Sequence, residues 1–201
     1  MTRLRMAILI SGRGSNMQAI LDAAEAPNYP AEPVLVLSNR PEAAGLNLAQ
    51  RRDVATACVD HRAYGKDRAA FERQMHQVLV PHHVQLIVLA GFMRVLTPWF
   101  VDQWAGHIIN IHPSLLPKYP GLKTHQRALE AGDDEAGCSV HWVTAGVDEG
   151  AVIAQARVPI AAGETAEQLA GKVLLAEHKL YPQAIKHACE AIVAREKAVQ
   201  L

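Results

Sequence analysis

The chain has 201 residues, half of them apolar and a fifth charged, with 20 Lys and Arg balanced by 20 Asp and Glu. A chain of this size can bury about 70% of its extended surface, which excludes a disordered segment or a miniprotein that needs staples. Zero formal charge argues against a general nucleic-acid or anionic-membrane binder, which needs a basic surplus, but leaves room for one basic pocket.

The first apolar run, Met6–Ile10, is too short for a signal peptide, which needs roughly 7–15 residues, or for a membrane helix, which needs about 20. A cytoplasmic protein with no membrane partner is expected. Cys58, Cys138 and Cys189 form no C-x-x-C pair and read as small buried thiols, neither a disulfide framework nor a zinc site.

In chain order, Met6–Ile10 predicts a strand, Asn16–Ala26 an amphipathic helix and Pro27–Pro33 a connecting loop. Val34–Leu37 follows as a strand, then Ala43–Arg52 and Asp67–Val80 as helices, Leu86–Ala90 as a strand and Pro98–Gln103 as a helix. Ile108–Ile111 is the next strand. Ser139–Val143 and Val152–Val158 predict an antiparallel pair, and a last helix runs from about Thr165 to Arg195, with Pro182 as a candidate break. Thr165 and Gln168 fit a capping box at its start. Near-continuous apolar strands alternating with helices predict an α/β fold: an open, doubly wound, mostly parallel sheet with an antiparallel C-terminal portion. A single domain is expected over 1–201, with halves meeting near residues 104 and 105.

Three stretches invite chemistry. Ser11-Gly12-Arg13-Gly14-Ser15-Asn16 lies between a strand and a helix, where glycines admit a close ligand and a helix start offers free N–H groups to a phosphate. It lacks the third glycine of a dinucleotide fingerprint and the Gly-Lys-Ser/Thr of a triphosphate loop, so a monophosphate fits it better, and a plain strand-to-helix turn remains open. Asn110 and His112 stand two apart at a strand's C-terminal end, so both point to one face. An amide donor beside an imidazole suits a developing oxyanion with a proton transfer. Asp148, in Gly146-Val147-Asp148-Glu149-Gly150, would raise the pKa of His112 and orient it if the two met, which spacing alone does not show. The histidines form no metal-ligand pattern, so no metal is expected; His141 could share a pocket with His112, while His61, His76, His107 and His187 read as surface positions. Taken alone, Arg68 is a solvated helix charge, Met93 core filler and Glu177 an exposed helix carboxylate.

Ile10–Asn16, Leu89-Ala90-Gly91-Phe92-Met93-Arg94 and Asn110-Ile111-His112-Pro113-Ser114-Leu115-Leu116-Pro117-Lys118-Tyr119-Pro120-Gly121 resemble the phosphoribosylglycinamide formyltransferases, within the wider formyltransferase superfamily. The resemblance runs in order from about residue 5 to 195. It implies the formyltransferase fold with a Rossmann-like N-terminal half that binds phosphate and a C-terminal half that is catalytic and binds folate. It implies transfer of the formyl group of 10-formyltetrahydrofolate to phosphoribosylglycinamide in purine synthesis, with small-molecule substrates, no nucleic-acid partner and a monomer or homodimer.

The resemblance also implies residue roles. Asn110, His112 and Asp148 become the catalytic trio. Gly14, Ser15 and Asn16 hold the phosphate, and Glu177 the ribose, with Leu174, Leu175 and Ala176 beside it. Folate contacts fall on Arg68, Met93, Arg94, Val95, Leu96, Asn110 and the loop Thr144, Ala145, Gly146, Val147 and Asp148. The chain departs from the family at Arg13 and in the order of residues in the Asp148 loop, and every role-bearing side chain remains. Two other readings stay open at this stage. Another formyl-group enzyme, acting on methionyl-tRNA or hydrolysing formyltetrahydrofolate, would be expected to carry a further domain. A non-catalytic nucleotide-binding module would leave Asn110, His112 and Asp148 more than ~10 Å apart.

Overall fold

In the computed structural model, which describes residues 3–199, the apolar runs join into one seven-stranded sheet in the order β3-β2-β1-β4-β5-β6-β7. The strands are β1 (Leu4–Ile10), β2 (Ala31–Ser38), β3 (Thr56–Cys58), β4 (Leu86–Leu89), β5 (Ile108–His112), β6 (Glu135–Trp142) and β7 (Val152–Pro159). The first five are parallel, and β6 and β7 pair antiparallel, as the sequence predicts.

Helices α1 (Ser15–Ala24), α2 (Ala44–Gln50), α3 (Arg68–Leu79), α4 (Pro98–Gln103), α5 (Thr124–Glu130) and α6 (Ala166–Val199) connect and cover the strands. Alternation along each strand divides the core in two. Met6, Ile8, Val88, Ile109 and Ile111 face Met17, Ile20, Val173 and Tyr181 on α1 and α6. Ala7, Leu9, Ile87, Leu89 and Ile108 face Phe71, Met75 and Phe100 on α3 and α4. Residues two apart on a strand share a face, so Asn110 and His112 lie on the α3 side. That side is uncovered by helix beyond Ile108.

Four expectations need correction. Pro27–Pro33 is not all loop: β2 starts at Ala31, and Pro33 lies inside it. β3 pairs only with Val36–Ser38, so Pro33 sits where the strand is an edge and its missing N–H leaves no ladder bond broken. β3 is three residues long, too short to register as a run, and α5 buries only Thr124 and Ala128, too little for an apolar stripe. Finally, α6 passes through Pro182 without a break. Tyr29 Oη donates to the Pro182 carbonyl at 2.9 Å, and Tyr181, Ala184 and Ile185 are fully buried around it, so packing outweighs the lost helix bond. The capping box forms as predicted: Thr165 N–H donates to Gln168 Oε1 at 2.9 Å, and Gln168 N–H to Thr165 Oγ1 at 3.2 Å.

Among the described residues no helix is long and apolar enough to cross a membrane, and no group of three His, Cys, Asp or Glu side chains is placed to hold a metal. Cys138 and Cys189 are buried, but Cys58 is exposed, because β3 is an edge strand.

Candidate active site

Loop ends gather where β1, β4 and β5 finish. The order places β4 between β1 and β5, and the chain reverses its direction of winding between β1 and β4, the point at which open α/β sheets bind ligands. Ser11 ties the two loops there. Its N–H donates to the Gly91 carbonyl at 3.1 Å, its Oγ accepts from Met93 N–H at 2.7 Å, and Oγ–H donates to Asn39 Oδ1 at 2.6 Å.

α1 begins at this crevice. Gly14 caps it at φ 77°, and the first intrahelical bond runs from Gln18 N–H to the Gly14 carbonyl at 2.8 Å. The N–H groups of Ser15, Asn16 and Met17 therefore have no acceptor within the helix, and no acidic side chain stands in the first turn. The need for glycine at 14 has a second cause the sequence does not show. A Cβ there would lie 3.1 Å from Gly45 Cα and 3.0 Å from Met17 Cε. Gly14→Ala is expected to lower stability by about 1–2 kcal/mol through strain and this contact, read as a fall in Tm of a few degrees. It is thus a poor probe of ligand binding, and Ser15 and Asn16 are better ones.

Asn16 and Glu177 meet across the crevice. Asn16 Nδ2 donates to Glu177 Oε2 at 2.6 Å, and Asn16 Oδ1 is buried with no partner. Glu177 is 7% exposed, not the exposed helix carboxylate of the plain reading. Burial pushes its carboxyl above the usual range, and the Asn16 bond opposes that only in part. Leu174, Leu175 and Ala176 occupy the preceding turn of α6, with Leu175 facing outward.

On the α3 side, β6 supplies the wall beside β5. Asn110 lies opposite His141, and His112 opposite Ser139. The loop between β6 and β7 folds back over this face and brings Asp148 between the two histidines. Asp148 Oδ2 lies 3.3 Å from His112 Nδ1, and Oδ1 lies 3.5 Å from His141 Nε2. Gly121 N–H donates to Asp148 Oδ2 at 2.9 Å, which holds the residue at φ 57°. Burial works to raise the Asp148 carboxyl, but the His141 ring, the Gly121 N–H and the His112 ring outweigh it and hold the group below the usual carboxylate range. His112 Nε2 donates to the Tyr119 carbonyl at 2.9 Å. With that nitrogen committed as donor, a lone pair on Nδ1 would face a carboxylate, so the doubly protonated ring suits both neighbours. These contacts exclude a separated trio.

The backbone after β5 is fixed by side chains of β6 and β7. Ser139 Oγ donates to the Ser114 carbonyl at 2.6 Å and accepts from Leu116 N–H at 3.0 Å, while Gln155 Nε2 donates to the Leu116 carbonyl at 2.8 Å. Sequence reasoning assigned no role to Ser139, Gln155 or Tyr119. The signal for Ser139 and His141 is present, since two polar residues alternate with Cys138 and Val140 in an otherwise apolar strand.

The candidate folate residues form a second group. Arg68 Nη2 donates to the Val95 carbonyl, so Arg68 is an anchor for this loop and not a freely solvated charge. Met93 and Val95 are exposed, 67% and 58%, and so Met93 is not core filler. Arg94 is half-buried, and Leu96 is buried with Phe92. Val143, where the Asp148 loop begins, packs on the same cluster as Phe92 and Leu96. Thr144, Ala145 and Val147 are exposed on that loop, and Gly146 is half-buried. Of the histidines read as surface positions, only His187 is exposed. His61 bonds Asn39, His107 Nδ1 lies 2.8 Å from the Gln85 carbonyl, and His76 packs edge-on against Trp99 and Trp104. A concavity of about 570 Å³, lined by Lys118, Asp133, Glu135 and Arg157, lies apart from this machinery.

Comparison with known proteins agrees with the geometry. The chain is 44% identical to phosphoribosylglycinamide formyltransferase of Escherichia coli over 182 residues, 90% of this chain and 85% of that one. It superposes on the crystal structure of the Brucella melitensis enzyme of that name with a TM-score of 0.89 at 48% identity, covering 94% and 96% of the two chains. The glycinamide ribonucleotide transformylase of Symbiobacterium toebii gives 0.90 at 43% identity, covering 94% of this chain and 89% of that one. A trifunctional purine biosynthetic protein of Chironomus tentans is 45% identical over 184 residues, but the chain spans only 13% of its length. The Formyl transferase family model matches residues 4–185, and the chain belongs to that family, among its phosphoribosylglycinamide formyltransferases.

Proposed function

We propose that the protein transfers the formyl group of 10-formyltetrahydrofolate to the amine of 5-phosphoribosylglycinamide, with Asn110, His112 and Asp148 as the reacting machinery. The observation that carries the reading is the juxtaposition of Asp148 with His112, beside Asn110 on one sheet face, two strands from a phosphate-competent helix start. Two strand spacings amount to roughly 10 Å, a span that a ribose and a glycyl group fill between phosphate and amine. In this reading α1 holds the phosphate through Gly14, Ser15 and Asn16. Glu177 and Asn16 Oδ1 accept from sugar hydroxyls. The Met93–Leu96 and Thr144–Asp148 loops, with Arg68, hold the folate.

The neutral amine attacks the formyl carbon, a C–N bond forms, and the carbonyl electron pair moves to oxygen. Asn110 N–H and the His112 imidazolium stabilise that oxyanion, and Asp148 keeps the imidazolium charged and aligned. Collapse of the intermediate breaks the bond to folate N10, which takes up the proton lost by the amine. No metal and no covalent enzyme intermediate enters the scheme. The half up to about residue 104 carries the phosphate site and the rest the catalytic trio, on one continuous sheet.

The test is a formyl-transfer assay with purified protein and 10-formyltetrahydrofolate. Phosphoribosylglycinamide is expected to be formylated far faster than charged initiator tRNA. Equal or greater rates on the tRNA would sink the assignment.

A further inference from the structure

Beyond β5 the chain runs Lys118-Tyr119-Pro120-Gly121, and this short segment touches both members of the catalytic pair. The Tyr119 carbonyl accepts from His112 Nε2 at 2.9 Å, and Gly121 N–H donates to Asp148 Oδ2 at 2.9 Å. His112 Nδ1 faces the same Asp148 oxygen at 3.3 Å, so histidine, aspartate and segment close a ring. Both imidazole nitrogens face oxygens, and the other partners are a carboxylate and backbone atoms, so each donor and acceptor follows from its chemistry. Moving Tyr119–Gly121 would therefore move both ends of the pair.

The segment is not held by its own conformation. Tyr119 sits at φ 56°, a left-handed turn that a Cβ opposes, and it precedes Pro120, which restricts the backbone further. Glycine would take the turn freely. With tyrosine there, the hold comes from the side chain. Tyr119 Oη donates to Asp133 Oδ2 at 2.8 Å, and Lys118 Nζ donates to Oδ1 of the same carboxylate at 2.8 Å. These two bonds keep the Asp133 carboxyl below the usual range, so it is a charged acceptor at neutral pH. Asp133 is fixed in turn, its N–H donating to the Ala128 carbonyl at 3.1 Å beyond the end of α5. From α5 the Arg127 guanidinium lies over the Tyr119 ring, 5.2 Å from its centre, and Nη1 donates to the Pro120 carbonyl at 2.6 Å. Lys118 is exposed, so its pair with Asp133 is screened by solvent, and the tyrosine bond is the one that bears on the segment.

We propose that Tyr119, tethered through its hydroxyl to Asp133, is a positioning residue: the tether sets the Tyr119–Gly121 backbone and, through it, the geometry of His112 against Asp148. The proposal rests on the catalytic roles of those two residues given above. Tyr119→Phe keeps the ring and removes only the tether. It should lower kcat about 5–20-fold, within the loss that a shift of about 1 Å in catalytic geometry causes, with both KM values within about twofold. Asp133→Ala should do the same, and the double variant no more than either, because the two residues share one bond. Asp133→Asn, whose carbonyl can still accept from Tyr119, should keep most of the rate.

The experiment is steady-state kinetics on these variants, paired with proton NMR of the unmutated protein and of Tyr119→Phe. The His112 Nε2 proton, held by the Tyr119 carbonyl, should exchange with solvent several-fold faster in the variant. A merely structural tyrosine would lower Tm and leave both that proton and kcat unmoved. Unchanged kcat, an unchanged exchange rate, additive losses, or a loss in Asp133→Asn equal to that in Asp133→Ala each overturn the proposal. Where Asp133→Ala fails to fold, Tyr119→Phe and its His112 proton decide it. Normal turnover by His112→Asn would instead overturn the catalytic reading on which it rests.

Discussion

Asp148→Asn should reduce kcat by about 10²-fold or more while leaving both KM values within a few-fold. The substitution preserves size, so the asparagine can still accept from Gly121 N–H and the loop keeps its return path. What disappears is the negative charge 3.3 Å from His112 Nδ1. With Nε2 donating to Tyr119, the ring no longer has a carboxylate to favour its second proton, and the cation needed beside the oxyanion is lost. That interaction matters mainly in the transition state, so the loss falls on kcat. Near-normal turnover would mean that the pair does not cooperate. The same pair has a stability signature. Asp148 is held below the usual carboxylate range when folded, so its contribution is present above that range and disappears as pH falls through it toward the depressed value. The difference in Tm between the two proteins should therefore narrow on acidification.

Glu177→Gln should act in opposite directions on binding and stability. The glutamine carbonyl can still accept from Asn16 Nδ2, but a sugar hydroxyl loses a charge-assisted acceptor. The KM for the ribonucleotide should rise about 10–100-fold, with that for folate unmoved. Burial raises the Glu177 carboxyl in the folded state, so holding it ionised costs stability that grows as pH rises from the ordinary range through the raised value. Removing the charge should raise Tm at neutral and alkaline pH, with the gain vanishing under acid. A ribonucleotide KM within twofold of the unmutated protein's would remove Glu177 from the acceptor site.

The sheet was legible because parallel strands buried on both faces leave apolar runs that polar helices cannot imitate. β3 and α5 were not, since three residues carry no period and two buried positions make no stripe. Asn110 and His112 were readable from spacing, because a strand puts residues two apart on one side. Asp148 was different. Its glycine-bracketed turn made it a candidate, but its place beside His112 depends on a loop that folds back across the sheet, so for that contact only the resemblance spoke. His141 and Ser139 reach the site across a β5–β6 register that no local pattern encodes, although their alternation with Cys138 and Val140 marked them as polar on a face that had to be covered.

The backbone of Asp148, at φ 57°, has a bearing on how such a protein would change under laboratory selection. Glycine would hold that left-handed turn with about 1 kcal/mol less strain, but it would forfeit the carboxylate that accepts from Gly121 N–H and faces His112. A library of variants screened for survival on heating at neutral pH would therefore tend to keep the aspartate, whereas the same screen under acid, where the carboxylate's contribution is gone, would enrich Asp148→Gly and return well-folded proteins with no turnover. The pH of the screen, and not its temperature alone, decides whether stability and turnover are selected together.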